Sequence, residues 1–204
     1  MLINMGTLTF RDLKIRLTDT AGVKINHKYK TICIDTLNPK ECSHILYTHH
    51  HPKHFPSNIR MEAIVDKIIS PNMGLKVKAG ETLKMNDVEI SVIEAYNRLE
   101  NYPNNPPHPK GLGVGYLIKF GDTTLYHMGD TDLIDEILEI RERIHILLIP
   151  IGGGNVMNPE EAAEAVKSLK PSITIPIHFE EMRQFHRFRD MAQPYTQMIL
   201  LRRC

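Results

Sequence analysis

His49, His50, His51 and His54 fall within six positions of the stretch Ile45-Leu46-Tyr47-Thr48-His49-His50-His51-Pro52-Lys53-His54-Phe55. The apolar residues that open it read as a buried strand running into a loop. In an extended segment alternate side chains share a face, so His49 and His51 point one way and can grip one metal ion, while His50 points the other. Pro52 permits a helix to start behind them, which would put His54 in the first turn and within reach of the same pocket. A histidine-rich surface loop is the plainer alternative. Such a tract would not follow a strand and lead into further structured sequence.

Three more donors come from distant stretches: His108, Asp130 and His178. Like His54, each stands at or just beyond the C-terminal end of an extended segment, or in the loop that follows. In layered α/β structures such loops gather on one rim, so separate stretches converge there. Imidazoles with a carboxylate suit Zn2+, or Mn2+ or Fe2+, at one or two ions per chain, and Asp130 has the two oxygens needed to bridge a pair. A bound ion lowers the pKa of its water and polarises the bond to be cleaved, so the implied chemistry is metal-assisted hydrolysis. His108 sits in a proline- and asparagine-rich loop, Tyr96 to Gly111, and belongs to the site only if that loop folds back over the histidine tract. Asp35 ends a strand ahead of the tract. It either hydrogen-bonds the histidine loop from behind or is a plain strand-end turn residue.

The elements that must position these donors belong to an α/β (α+β) chain of 204 residues, 42% hydrophobic, expected to form one domain over 1–204. Short extended segments come first: Gly6 to Phe10, Leu13 to Leu17, Val23 to Ile25 and Lys30 to Asp35. A helix fits Asn58 to Lys67, followed by a short strand to Ser70. Glu81 to Met85 and Val88 to Ala95 form a hairpin about Asn86-Asp87, and Gly115 to Phe120 with Thr123 to Met128 form another about Gly121-Asp122. Asp132 to Arg143 has helical spacing, and His145 to Ile151 is a buried strand. Asn158-Pro159-Glu160-Glu161 opens a capped helix to about Lys170. Ile173 to Ile177 is a strand, Glu180 to Met191 a helix and Gln197 to Leu201 a last strand. Gly152-Gly153-Gly154 lacks the Lys-Ser/Thr ending of a phosphate loop, so nucleotide binding is rejected.

A net charge of +1 gives no electrostatic case for nucleic acid or an anionic membrane as partner. Strand-sized apolar runs and an N-terminus without signal-peptide character point to a soluble, cytoplasmic chain. Three cysteines, Cys33, Cys42 and Cys204, are odd in number and without paired spacing, which fits a reducing compartment, with Cys33 a buried strand thiol.

The order Thr48-His49-His50-His51-Pro52-Lys53-His54, then His108, then His127-Met128-Gly129-Asp130-Thr131, then Ile175-Pro176-Ile177-His178 resembles the metallo-β-lactamase-fold superfamily. Within it, the chain is similar to the hydrolase branch containing ascorbate-6-phosphate lactonases and related metal-dependent hydrolases. Asp35, Gly113-Val114-Gly115-Tyr116, Pro150-Ile151-Gly152-Gly153 and Asn158-Pro159-Glu160-Glu161-Ala162 extend the likeness, which covers about Gly6 to Phe179. It implies a four-layer αββα sandwich of two similar halves, with the site at one edge between the sheets. It also implies that His49, His51 and His108 bind a first metal, that Asp130 bridges, and that His54 and His178 bind a second.

One position departs. The family motif His-x-His-x-Asp-His has Lys53 where its aspartate stands, and an ammonium repels a cation at contact distance. Three outcomes follow: one metal with the ammonium standing in for the second charge, two metals with a weak second site, or a degenerate protein that binds without hydrolysing. Lys53 turned to solvent is the plain alternative. The single metal is the favoured expectation, with Asp130 and Lys53 as the catalytic candidates. The expected substrate is a small molecule, anionic if Lys110, Arg183, His186, Arg187 and Arg189 serve it, although basic residues on a helix more often form a solvated face. A homo-oligomer stays open. The rival class is a non-enzymatic ligand or metal sensor on the same scaffold.

Overall fold

The computed structural model describes residues 3–57 and 63–203. The chain has two compact units: residues 4–77, joined by the chain from Leu200 on, and residues 78–199, joined by the chain up to Ile3.

After β1 (Ile3–Met5), the 4–77 unit opens as an antiparallel meander of β2 (Leu8–Phe10), β3 (Leu13–Leu17), β4 (Val23–His27) and β5 (Lys30–Ile34). Strict alternation of buried and exposed residues in β3, Leu13-Lys14-Ile15-Arg16-Leu17, is what a strand with one covered face requires. The sheet then turns parallel through β6 (His44–Leu46), β7 (Ile68–Ser70) and β8 (Leu75–Lys76), giving seven strands in sequence order. The helix expected over Asn58 to Lys67 begins at 58–62, which lie outside the described residues; Val65–Lys67 form a 3-10 turn leading into β7.

One expectation is overturned here. Cys33 is not a free thiol: it is bridged to Cys42, nine residues on. The chain leaves β5, loops, and returns in parallel beside it as β6, which brings a residue just before β6 back over one inside β5. The bridge lies in a buried cluster with Ile45, Tyr47 and Ile68. An odd cysteine count therefore does not report a reduced set.

The 78–199 unit is built on eight strands in the order β1-β15-β14-β13-β12-β11-β10-β9. β9 (Thr82–Met85), β10 (Val88–Ala95), β11 (Gly113–Phe120) and β12 (Thr123–His127) are antiparallel, and both expected hairpin turns hold, with Asn86 and Gly121 at positive φ. α1 (Asp135–Leu138) follows β12. Then β13 (Ile146–Pro150), α2 (Pro159–Leu169), β14 (Ile173–Ile177), α3 (Met182–Ala192) and β15 (Gln197–Leu201) form parallel crossovers. β13 and β14 are buried at every position, as parallel strands covered on both faces must be.

The helices show why one reading of helical spacing holds and another fails. α2 has a full capping box, with Asn158 accepting from Glu160 and Glu161 and the Glu161 side chain reaching back to Asn158 N, and it runs eleven residues. In the Asp132 to Arg143 stretch only α1 is helical, four residues long: Ile134 precedes it with no side-chain cap, and within those four residues only Ile137 is buried. Among the described residues, no helix is long and apolar enough to cross a membrane.

Candidate metal centre

In the 4–77 unit the donors grow out of the β5–β6 pair. Asp35 follows β5 in a left-handed conformation (φ +49°), and its N–H bonds to Leu46 O at 3.0 Å, which carries its carboxylate to the start of the histidine tract. Oδ1 accepts from Thr48 N at 2.8 Å, while Oδ2 accepts from the Thr48 hydroxyl at 2.7 Å and from His54 Nδ1 at 2.9 Å. Because the Thr48 hydroxyl gives its proton to Asp35, it receives one from His49 Nδ1 at 2.9 Å. Asp35, Thr48, His49 and His54 are all buried. The His49 ring lies 4.6 Å from His51 and 4.2 Å from His54, centroid to centroid. His50 points away as expected, packing on Phe55 at 4.2 Å, and burial holds its imidazole below the ordinary value.

His54 is not in a helix. Its N–H and that of Phe55 both bond to His51 O, closing one turn that Pro56 prevents from continuing. This turn, rather than a helix start, folds His54 back onto His49. Asp35 holds His54 directly and His49 through the Thr48 hydroxyl, so the reading in which it backs the histidine loop is the one the structure bears out.

In the 78–199 unit the donors come from three stretches. Asp130 and His178 follow β12 and β14, whose parallel register through β13 aligns their C-terminal ends. His178 Nε2 lies 3.2 Å from Asp130 Oδ2, and His108 Nε2 lies 3.5 Å from the same oxygen. His178 is left-handed (φ +52°), a conformation that costs a non-glycine residue on the order of 1–3 kcal/mol. It is accommodated by Gly152, where an added Cβ would meet His178 O at 2.3 Å. His127 Nδ1 accepts from Gly129 N at 3.3 Å and steadies the turn that presents Asp130.

Residues 12–178 match the family model of the beta-lactamase superfamily domain. The chain belongs to that superfamily. A UPF0173 metal-dependent hydrolase of Nanoarchaeum equitans is 32% identical over 183 residues, covering 82% of this chain and 84% of that one. A solved structure from Parabacteroides distasonis covers 97% of this chain and 98% of its own at a TM-score of 0.82 and 21% identity. The metallo-beta-lactamase fold protein YhfI from Bacillus subtilis covers 99% and 94% at a TM-score of 0.69 and 11% identity. At those identities the two structures show the fold alone, which is the metallo-β-lactamase fold expected from the motif order.

Within this beta-lactamase superfamily member, each unit thus brings three donors together: His49, His51 and His54 in one, His108, Asp130 and His178 in the other. In both, imidazoles are held from behind. His49 and His54 commit Nδ1 to Thr48 and Asp35, and His108 commits Nδ1 to Asn97 Oδ1 at 2.9 Å and Asn155 O at 3.2 Å. A backbone carbonyl only accepts, so His108 Nδ1 carries the proton and Nε2 carries the lone pair. That pattern is what divalent-metal histidines use: the outer hydrogen bond fixes the tautomer and leaves Nε2 to the ion. The donor chemistry fits a borderline cation such as Zn2+, Mn2+ or Fe2+.

Asn97 escapes sequence reading, since an asparagine among several in a loop looks like turn chemistry. Lys53 is exposed, between buried His54 and half-buried His51. Four of the five basic residues considered for an anion pair with acids: Lys110 bonds Glu136 at 2.6 Å, Arg183 pairs with Glu181, Arg187 with Glu160, and Arg189 with Asp190. Burial pushes the Glu136 carboxyl up, but hydrogen bonds from Lys110 and Tyr96 and the Lys110 charge outweigh it and hold it below its ordinary value.

Proposed function

We propose that this chain is a hydrolase in which the two donor sets serve one metal centre, His49, His51 and His108 at a first ion, His54 and His178 at a second, and Asp130 between them. The observation that carries the reading is the shared orientation pattern: in both units a buried acceptor holds an imidazole at Nδ1 and leaves Nε2 for a ligand. Bound Zn2+, Mn2+ or Fe2+ supplies a hydroxide near neutral pH and a Lewis acid for the scissile group. Asp130 is the carboxylate that orients the attacking water and accepts its proton. Asp35 and Asn97 keep the imidazoles in the ligating tautomer. Lys53 brings an ammonium where the family motif has a second anionic ligand beside Asp130, so it replaces part of the second ion's charge and donates to oxyanion or leaving oxygen. An ester, lactone or phosphodiester of a small molecule is the substrate class. Zinc in the first site alone is the expected resting state.

A degenerate binding protein is the second reading, favoured by the exposure of Lys53 beside buried ligands. Elemental analysis of the chain and of Lys53→Asp, with hydrolysis of a generic phosphodiester, lactone and ester in added zinc or manganese, separates the two. A hydrolase shows turnover that chelator abolishes, and Lys53→Asp raises occupancy toward two ions along with the rate. Rising occupancy without turnover selects the binding protein. No metal uptake in either variant overturns both.

A further inference from the structure

Asp132 lies two residues beyond Asp130 and is buried at 2% exposure, and the groups that donate to its carboxylate are neutral. Its Oδ1 accepts from Asn97 Nδ2 at 2.9 Å, and its Oδ2 accepts from Arg98 N and Asn101 Nδ2, both at 2.8 Å. Three neutral N–H groups therefore solvate a buried charge, at the cost of confining the start of the 97–110 loop. Asn97 is saturated in turn. Nδ2 donates to Asp132 Oδ1 and to Asn155 O at 3.0 Å, and Oδ1 accepts from His108 N at 3.0 Å and from His108 Nδ1 at 2.9 Å.

An amide can be turned either way at little intrinsic cost, so its partners decide which atom faces the histidine. A carboxylate accepts only. Facing Asp132, Asn97 must present its NH2 there and its oxygen to His108. We infer that Asp132 is a positioning residue for the centre: through Asn97 it fixes the His108 tautomer and, through Arg98 and Asn101, it pins the loop that carries His108. The two aspartates of Asp130-Thr131-Asp132 then act on the same imidazole from opposite sides, Asp130 opposite Nε2 and Asp132 behind Nδ1. Backbone bonding supports the arrangement, since Asp132 N bonds to Tyr96 O at 3.0 Å and Asn97 N to His108 O at 2.8 Å, closing both ends of the loop on the same strand end.

This inference rests on the metal-centre reading for its effect on binding but not for its effect on the tautomer, and the test uses both. In Asp132→Asn the new amide can offer one oxygen to Asn97 only by turning its own NH2 toward the donors at Arg98 and Asn101, so one side must fail. The 15N signals of His108 in the metal-free, imidazole-labelled chain should move from a protonated Nδ1 toward an average of both tautomers. Zinc half-saturation should weaken by about 10–100-fold, the range for residues that orient ligands. Asn97→Ser, which truncates the amide without adding charge, should do the same, and keeps the test alive if Asp132→Asn fails to fold. Thermal unfolding of the metal-free variants reports any general loss of fold, which alone does not move the tautomer of a folded chain. A wild-type tautomer in a folded variant, with half-saturation within twofold of wild type, overturns the relay. If the wild-type chain takes up no zinc, the metal-centre reading falls, and the tautomer decides: unchanged signals overturn the relay and shifted ones carry it.

Discussion

The two units reach the same chemical end by opposite means. In the 4–77 unit the three donors lie within six residues of continuous chain, backed by one buried carboxylate that takes three hydrogen bonds. In the 78–199 unit they come from a loop and two strand ends, held by a neutral amide, a backbone carbonyl and a glycine with no room for a side chain. A contiguous set needs little fold to assemble but depends heavily on its single anchor. A dispersed set spreads the same task over many small contributions, each backed by sheet register and helix packing. Damage should therefore be concentrated in the first unit and graded in the second.

The sharpest test is Asp35→Ala. Thr48 N, the Thr48 hydroxyl and His54 Nδ1 would lose their acceptor in a site where Asp35 is fully buried. Removing one partner of a buried, hydrogen-bonded pair costs about 3–5 kcal/mol. Denaturant unfolding should show that loss, with zinc binding abolished. A loss no larger than that of Asn97→Ser would break the contrast between one anchor and many.

Gly152→Ala probes the second unit at its tightest point. The added methyl must displace His178 O, and an overpacked site of this kind costs about 1–3 kcal/mol. Stability should fall by that amount, while the metal content that depends on His178 falls further. Unchanged metal content would show that the seat of His178 tolerates movement.

Smaller again is Asn158→Ala. Its side chain accepts from Glu160 N and Glu161 N at the start of α2, which packs on α3. Loss of such a cap costs about 1 kcal/mol, read as a shift in denaturation midpoint with zinc affinity unaltered. The 4–77 unit has no counterpart, since no α-helix occurs among its described residues.

The same contrast governs what the sequence made legible. His49, His51 and His54 declare themselves by spacing, and the hairpins and α2 by turn and cap residues, because those signals are local. The motif order carried the superfamily and fold across distant stretches, which local signals cannot. Asn97 and Asp132 stayed hidden because their significance lies in partners over ten residues away, and the Cys33–Cys42 bridge because only the parallel return of β6 brings its ends together. The arginines after His178 left an anion site and a solvated face both open, and the acids beside them, Glu181, Glu160 and Asp190, could not be read from their own spacing. Charge in a sequence carries no record of its nearest opposite.

Acid should separate the units last and least. His44 at the start of β6 has its pKa lowered, first by burial and then by Lys30 and Lys67, so the folded 4–77 unit favours the neutral ring. Its contribution is complete above the ordinary histidine value of about 6.5 and is lost as pH falls from there through the lowered folded value. Glu136 in the 78–199 unit is also held low, so its contribution is complete above the ordinary glutamate value of about 4.3 and is lost only as pH falls below that. Its partner Lys110 is held high by the same bond, and its share is lost only as pH rises through that raised value, far on the alkaline side. Lowering pH from 7 to 5 in the metal-free chain should therefore reduce hydrogen-exchange protection, corrected for intrinsic rates, in Lys30–Ile34 and His44–Leu46 while Val88–Ala95 and Gly113–Phe120 keep theirs. Equal loss in both sets would mean that the unit bearing His44 is no more acid-sensitive than the other. Replacing His44 by Gln, which cannot gain a proton, should flatten the response of the first set alone.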